Sequence, residues 1–218
     1  PQLPGVVVED AMRAVTHHPD PIRQVLESDG LTAAEQKLTT LNTAFHHDDV
    51  LVQVPAGSSE PRPIRLVHLF SVGAQEAFFP MTLMTVGAGS SVTLIDEYVS
   101  FMPGNSTEPH LINGRIELVI GPHARVHYVR LQRWGPSARE FLLQRATLGE
   151  GASLTMANIN LGAALSKAHI VTTFTGPNAS SQLYGFVFGH GNQHIDQHTL
   201  QDHQAPHTTS DLQFRAAL

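Results

Sequence analysis

At 218 residues the chain has room for one large domain or two small ones. A formal net charge of −6 without any Lys/Arg cluster argues against a nucleic-acid surface, and no apolar run is long enough to span a membrane as a helix. The lack of cysteine removes disulfides, thiolate ligands and a cysteine nucleophile from consideration, whereas 14 histidines stand against only 13 Lys plus Arg.

In chain order, residues 1–49 read as a mixed, mainly helical N-terminal segment. Val6-Val-Val8 is a short apolar run, and Ala11–Val15 and Ile22–Leu26 are short helical stretches broken by Pro19 and Pro21. The spacing predicts a helix over 32–45, with Thr32 and Glu35 as a capping box and Ala34, Leu38, Leu41 and Phe45 on one buried face. From Val50 the period changes from helical to two. Short β-rich runs follow at 50–54, 64–70, 82–86, 92–98, 115–120, 126–132, 141–148, 154–159, 169–175 and 183–188, each bounded by Gly, Pro or Asn. Residues 50–218 are therefore expected to form an all-β core.

Four segments within that core share one pattern: glycine, two turn residues, a small residue, then alternating apolar positions. Gly87-Ala-Gly-Ser90 leads into Val92, Leu94 and Asp96; Gly121-Pro-His-Ala124 into Val126, Tyr128 and Arg130; Gly149-Glu-Gly-Ala152 into Leu154, Met156 and Asn158. Gly176-Pro-Asn-Ala179 opens a fourth copy, with Ser181 where the first apolar residue should stand. The glycine-to-glycine spacings of 34, 28 and 27 residues predict stacked coils, a parallel β-helix with about two strands per coil. An antiparallel sandwich is the alternative. The sameness of the turn favours coils: glycine gives the corner a permissive backbone, and the small residue lets successive corners approach.

Candidate chemistry is sparse. The five histidines His190, His194, His198, His203 and His207 crowd the C-terminal end. Strand parity puts His194, Asp196 and His198 on one face with Leu200 and Asp202, a feasible zinc or iron set to which His203 and His207 could add. The competing reading is a ladder of polar side chains along the wall. His207-Thr-Thr-Ser-Asp211 holds a hydroxyl, a histidine and a carboxylate, but adjacency in sequence does not make a triad, and no Gly-x-Ser-x-Gly elbow exists. Asp96, Glu97 and Glu117 could serve as acid/base carboxylates of a β-helix polysaccharide lyase or hydrolase, but Asp96 and Glu97 face opposite sides of a strand and form no pair unless a bulge intervenes. Arg130, Arg133 and Trp134 read as a small exposed cluster before Gly135-Pro136.

Pro63-Ile-Arg-Leu-Val-His68, Val92-Thr-Leu-Ile-Asp-Glu97, Ala124–Gln132, Asn160-Leu-Gly162 with Ser166-Lys167, and His198–His203 with His207–Asp211 together resemble the SufB/SufD family of the SUF iron–sulfur cluster assembly system, most closely SufD. The resemblance covers most of residues 50–218. It implies a right-handed parallel β-helix and a non-enzymatic, cytoplasmic scaffold acting with a SufB-like paralogue and a SufC-like ATPase. The iron–sulfur cluster would be handled by the full complex, with no cofactor bound to this chain. In the family, a cysteine- and histidine-bearing stretch near the end of the β-helix serves cluster building, and a helical domain docks the ATPase. Both are expected beyond Leu218, so no cluster ligand or docking residue is assigned here. Read this way, the chain is a core fragment whose open last coil would favour a homodimer in isolation. The alternative function is a metal-dependent enzyme using the C-terminal histidines.

Overall fold

Each Gly-x-x-small segment forms a tight corner between two strands, and successive corners stack on one another. The computed structural model describes residues 5–10, 14, 33–46, 49–71, 76–101 and 108–218. After β1 (Val7–Asp10) and helix α1 (Ala33–Phe45), the chain alternates between two sheets. The first contains β1, β2 (Val50–Val54), β5 (Met81–Val86), β7 (His110–Ile120), β9 (Ala138–Leu148), β11 (Leu165–Phe174) and β13 (His194–His203), with the short β4 (Ala77–Phe78) also on β7. The second holds, in spatial order, β3 (Ile64–Ser71), β6 (Ser91–Phe101), β8 (Arg125–Arg133), β10 (Ser153–Asn160), β12 (Ser180–Phe188) and β14 (Thr209–Ala217). Apart from the antiparallel β1–β2 pair, the strand pairings are parallel. The architecture is the expected parallel β-helix with two strands per coil, and the sandwich is excluded.

Corner stacking explains the repeat, with a division of labour unlike the expected one. The third corner residue takes the left-handed backbone: φ is 67° at Gly89, 57° at His123, 60° at Gly151 and 60° at Asn178. The leading glycine serves close approach instead. A methyl on Gly176 would stand 1.9 Å from the Glu150 backbone nitrogen. Backbone bonds tie corner to corner, Gly89 N donating to the Pro122 carbonyl (2.8 Å) and Gly151 N to that of Pro177 (2.8 Å). Two further corners flank the four. Gly57 N donates to Ala88 O (2.8 Å), and Asn178 N to Pro206 O (3.2 Å), so 55–58 and 205–208 belong to the same stack. They lack the leading glycine, having Pro55 and Ala205 there, and the sequence pattern passed over them.

Inward side chains align across coils because the strands are in register. One row runs Val92, Val126, Leu154, Ser181, and the next Leu94, Tyr128, Met156, Leu183. These buried residues meet Val86, Leu118, Ile120, Ala146 and Leu148 of the first sheet in one continuous core. Each fully buried aliphatic side chain contributes roughly 1.5–3 kcal/mol, which is how so thin a layered structure offsets its chain entropy.

Helix α1 lies on the outer face of the first sheet, against β7 and β9. Its anchoring differs from the predicted apolar stripe. Leu38 and Leu41 are only half-buried and Phe45 is 57% exposed, whereas Thr39 and Asn42 are buried. The sheet surface beneath is mixed, with Asn113 and Arg115 beside Leu143, and a clasp of hydrogen bonds spans the contact. Asn42 Nδ2 donates to the Asn113 carbonyl (2.7 Å), and Asn113 Nδ2 donates to that of Leu38 (2.8 Å). Thr32 and the segment 22–26 lie outside the described residues, as do the side chains of Ala34 and Glu35; of 11–15 only Ala14, helical and buried, lies within them.

Candidate functional site

The third and fourth inward rows of the second sheet are polar. In register they read Asp96, Arg130, Asn158 and Tyr98, Gln132, Asn160. They put two linked clusters of buried side chains inside the coils.

Asp96 centres the first. Its carboxylate accepts from the hydroxyls of Tyr98 (2.8 Å) and Tyr128 (2.7 Å) and shares a 2.8 Å hydrogen bond with His68 Nε2. Thr82 Oγ1 lies 2.9 Å from the Tyr98 hydroxyl, and the His68 ring stacks on Tyr98 at 4.5 Å. Burial, and then the Asp96 charge, push both tyrosines well above the ordinary phenol value, so they stay neutral donors.

Glu140 centres the second. It is ion-paired with Arg130 and accepts from Trp134 Nε1 (2.7 Å), Ser166 Oγ (2.7 Å) and Gln132 Nε2 (3.3 Å). Arg130 also donates to Asn160 Oδ1 (3.0 Å) and lies 5.4 Å from the centre of the Tyr98 ring, which joins the clusters. Gln132 clasps the chain at Gly162, its Oε1 accepting from Gly162 N (2.8 Å). Arg130 and Trp134 are thus interior residues, not the exposed cluster expected, and only Arg133 of that trio faces solvent. Strand parity is the reason: Arg130, Gln132 and Trp134 alternate inward while Leu131 and Arg133 point out. The repeat carried the signal, since Asp96, Arg130 and Asn158 are the third aligned residue in three copies. The rule that inward positions are apolar hid it.

Charged pairs of this kind are costly to desolvate and even costlier to break, so they fix the relative positions of coils. Ser166, the serine beside the Glu140 carboxylate, is fully buried, and the clusters hold protons and charge in a fixed interior.

The C-terminal histidines separate by parity. His194, Asp196 and His198 lie on the outer face of β13, where Asp196 makes a loose exposed pair with Lys167 (3.6 Å) and the His198 ring meets His169 edge-on at 4.4 Å. His203 faces the other way, stacked on Phe174 at 4.4 Å, with Nδ1 2.6 Å from Thr208 Oγ1 and Nε2 3.1 Å from Ser210 Oγ. His207 occupies a corner at φ 59°, and Asp211 bonds Gln213 (3.2 Å) rather than the histidine. Among the described residues no three His, Asp or Glu side chains converge closely enough to hold a metal ion. The other carboxylates are paired on the outer faces. Glu97 accepts from Arg65 (3.1 Å) and Arg133 (2.7 Å), which hold it below the usual range, and Glu117 pairs with Arg115 (2.8 Å) and Arg145 (2.8 Å).

No helix among the described residues is long and apolar enough to cross a membrane. Comparison with known proteins gives one consistent family. An iron–sulfur cluster assembly SufBD family protein of Staphylococcus haemolyticus is 21% identical over 209 residues, 95% of this chain and 44% of its own length. Namesakes in Mycobacterium tuberculosis and Mycobacterium leprae are 27% and 25% identical over 124 and 138 residues, 15% of their own length in each case. The chain thus spans less than half of each of these relatives. The family model for the SufBD core domain of the SUF FeS cluster assembly system matches residues 69–218, the span that carries the four repeated corners and, apart from His68, both polar clusters, and the chain accordingly belongs to the SufBD family.

Proposed function

We propose that this chain is a non-enzymatic scaffold core of iron–sulfur cluster biogenesis, SufD-like in role, working with a SufB-like paralogue and a SufC-like ATPase. Its cargo is the nascent cluster, which the complex as a whole builds. The observation that carries the reading is the match to the SufBD core domain on a β-helix whose interior Asp96, Arg130 and Glu140 bond to neighbouring interior side chains. A wall stiffened in this way positions partners.

The test is co-expression of the full-length protein with the SufB-like and SufC-like proteins of the same genome, with only the ATPase tagged. A stoichiometric complex by size-exclusion chromatography and light scattering is the expected result. A full-length protein that never co-elutes with either partner overturns the proposal.

A further inference from the structure

The two outer faces of the coil differ. The first sheet carries α1, whereas no helix among the described residues lies on the second. Half of that second face is apolar. In register across its strands run Val67, Glu97, Leu131, Ile159, Phe186 and Arg215. Leu69 and Phe188 continue the stripe toward one edge, and Val67, Leu69 and Phe188 are 52%, 68% and 51% exposed. Leu131, Ile159 and Phe186 are contiguous in that row, with Glu97 and Arg215 on either side of them, and a run of apolar side chains on an outer face is the mark of an interaction surface.

The charges around the band have one dominant sign. Arg65, Arg133 and Arg215 flank it, against the single carboxylate of Glu97, which both Arg65 and Arg133 already engage. Arg215 is exposed and has no ion pair among the described residues. In a chain of net charge −6, this half-face is cationic. Two copies meeting through it would oppose arginine to arginine, so the charges select against self-association here. At about 4.8 Å per strand the row from Val67 to Arg215 spans about 24 Å, the length of an α-helix of about 16 residues, with its apolar centre at Leu131, Ile159 and Phe186.

We infer that the apolar half of the second sheet's outer face docks an amphipathic helix of a partner protein whose apolar stripe is flanked by Asp and Glu. The helix lies across the strands with its stripe on Leu131, Ile159 and Phe186. Its carboxylates reach Arg65, Arg133 and Arg215. The inference stands on this face alone and does not depend on the assembly partners proposed above.

Two synthetic helices of about 16 residues, with one leucine stripe flanked either by Glu or by Lys, test it by fluorescence anisotropy against the whole chain. The Glu-flanked helix is expected to bind and the Lys-flanked one at least about tenfold more weakly. Leu131→Asp should weaken the Glu-flanked helix by about tenfold or more. Arg215→Glu, at an exposed position where folding is not at stake, should weaken it several-fold. Binding to neither helix, equal binding to both, or indifference to Arg215→Glu overturns the inference. So does capture of the chain by phosphatidylserine vesicles, or a dimer abolished by Leu131→Asp, in place of helix binding.

Discussion

Glu140→Gln removes one charge from the interior and almost no volume. The amide oxygen can stand in for Oε1, which accepts from Trp134 and Arg130, but the amide nitrogen then faces the Ser166 hydroxyl and the Gln132 amide, and the buried Arg130 charge loses its carboxylate partner. Breaking a buried pair in this way costs about 3–5 kcal/mol, a large part of the roughly 5–15 kcal/mol that stabilises a typical domain. Arg130→Met is the milder single change, at about 2–3 kcal/mol, because the Glu140 carboxylate keeps three neutral donors. The double variant Arg130→Met/Glu140→Gln leaves no unpaired charge. Its loss should fall short of the sum of the singles by about 2 kcal/mol. Urea unfolding at neutral pH reads all four proteins. Far-UV circular dichroism is the primary probe, because Trp134, the chain's single tryptophan, touches Glu140 and its fluorescence baseline will shift. A Glu140→Gln cost below about 1 kcal/mol, or strict additivity in the cycle, would refute the claim that this pair locks the coils.

Gly176→Ala, whose methyl would meet the Glu150 backbone nitrogen at 1.9 Å, should cost about 2 kcal/mol or more, against about 1 kcal/mol of left-handed strain for Gly57→Ala in open space; thermal melts that reverse this order would sink the corner argument. Burial pushes the Asp49 carboxyl up to about 6 despite its contact with His46, so the folded state holds that proton more tightly than the unfolded chain. The stabilisation is complete below about pH 4 and lost as pH rises through 6, so Asp49→Asn should remove roughly 1–3 kcal/mol of the stability difference between pH 4.5 and 7, and an unchanged pH dependence in urea unfolding counts against it. Protein purified without a His tag should contain far less than stoichiometric zinc or iron by plasma mass spectrometry; a full equivalent that disappears in His194→Ala/His198→Ala would revive the metal-enzyme alternative.

The coils were legible because close backbone approach at each corner demands glycine and a following small residue, a requirement that recurs with every coil. The reading failed where stacking tolerates something else. Pro55 and Ala205 lead corners without glycine, so two coils went uncounted although His207 and Gly57 take the same left-handed turn as their counterparts. Period-two parity correctly separated Asp96 from Glu97 and put His194, Asp196 and His198 on one side. It could not say which side faces inward when both carry polar residues. Arg130 and Trp134 were misplaced for that reason, because a charge and an indole near a Gly-Pro turn have the composition of a surface loop. Partners reached through space, such as Ser166 for Glu140, leave no local trace at all. The helix 33–45 has the predicted apolar spacing, yet Asn42 and Asn113 clasp it to the sheet, partners met through space that spacing cannot show.

The placement of polarity bears directly on what a wall of this kind can recognise. A β-helix has corners, two outer faces and an interior. Backbone bonds tie the corners to one another, and their small residues have little to present. The interior Asp, Arg and Glu bond to one another's neighbours, and the first outer face supports α1. Outward positions clear of α1 are free to differ from coil to coil without disturbing the stack, and no helix among the described residues covers those of the second sheet. There the rows change within one strand spacing from Glu97 to Leu131, and from Phe186 to Arg215. A repeat made for stacking is uniform by necessity. Any partner that binds one register in preference to the next must read the residues that break the uniformity, and the second sheet's outer face carries such breaks beside its apolar run.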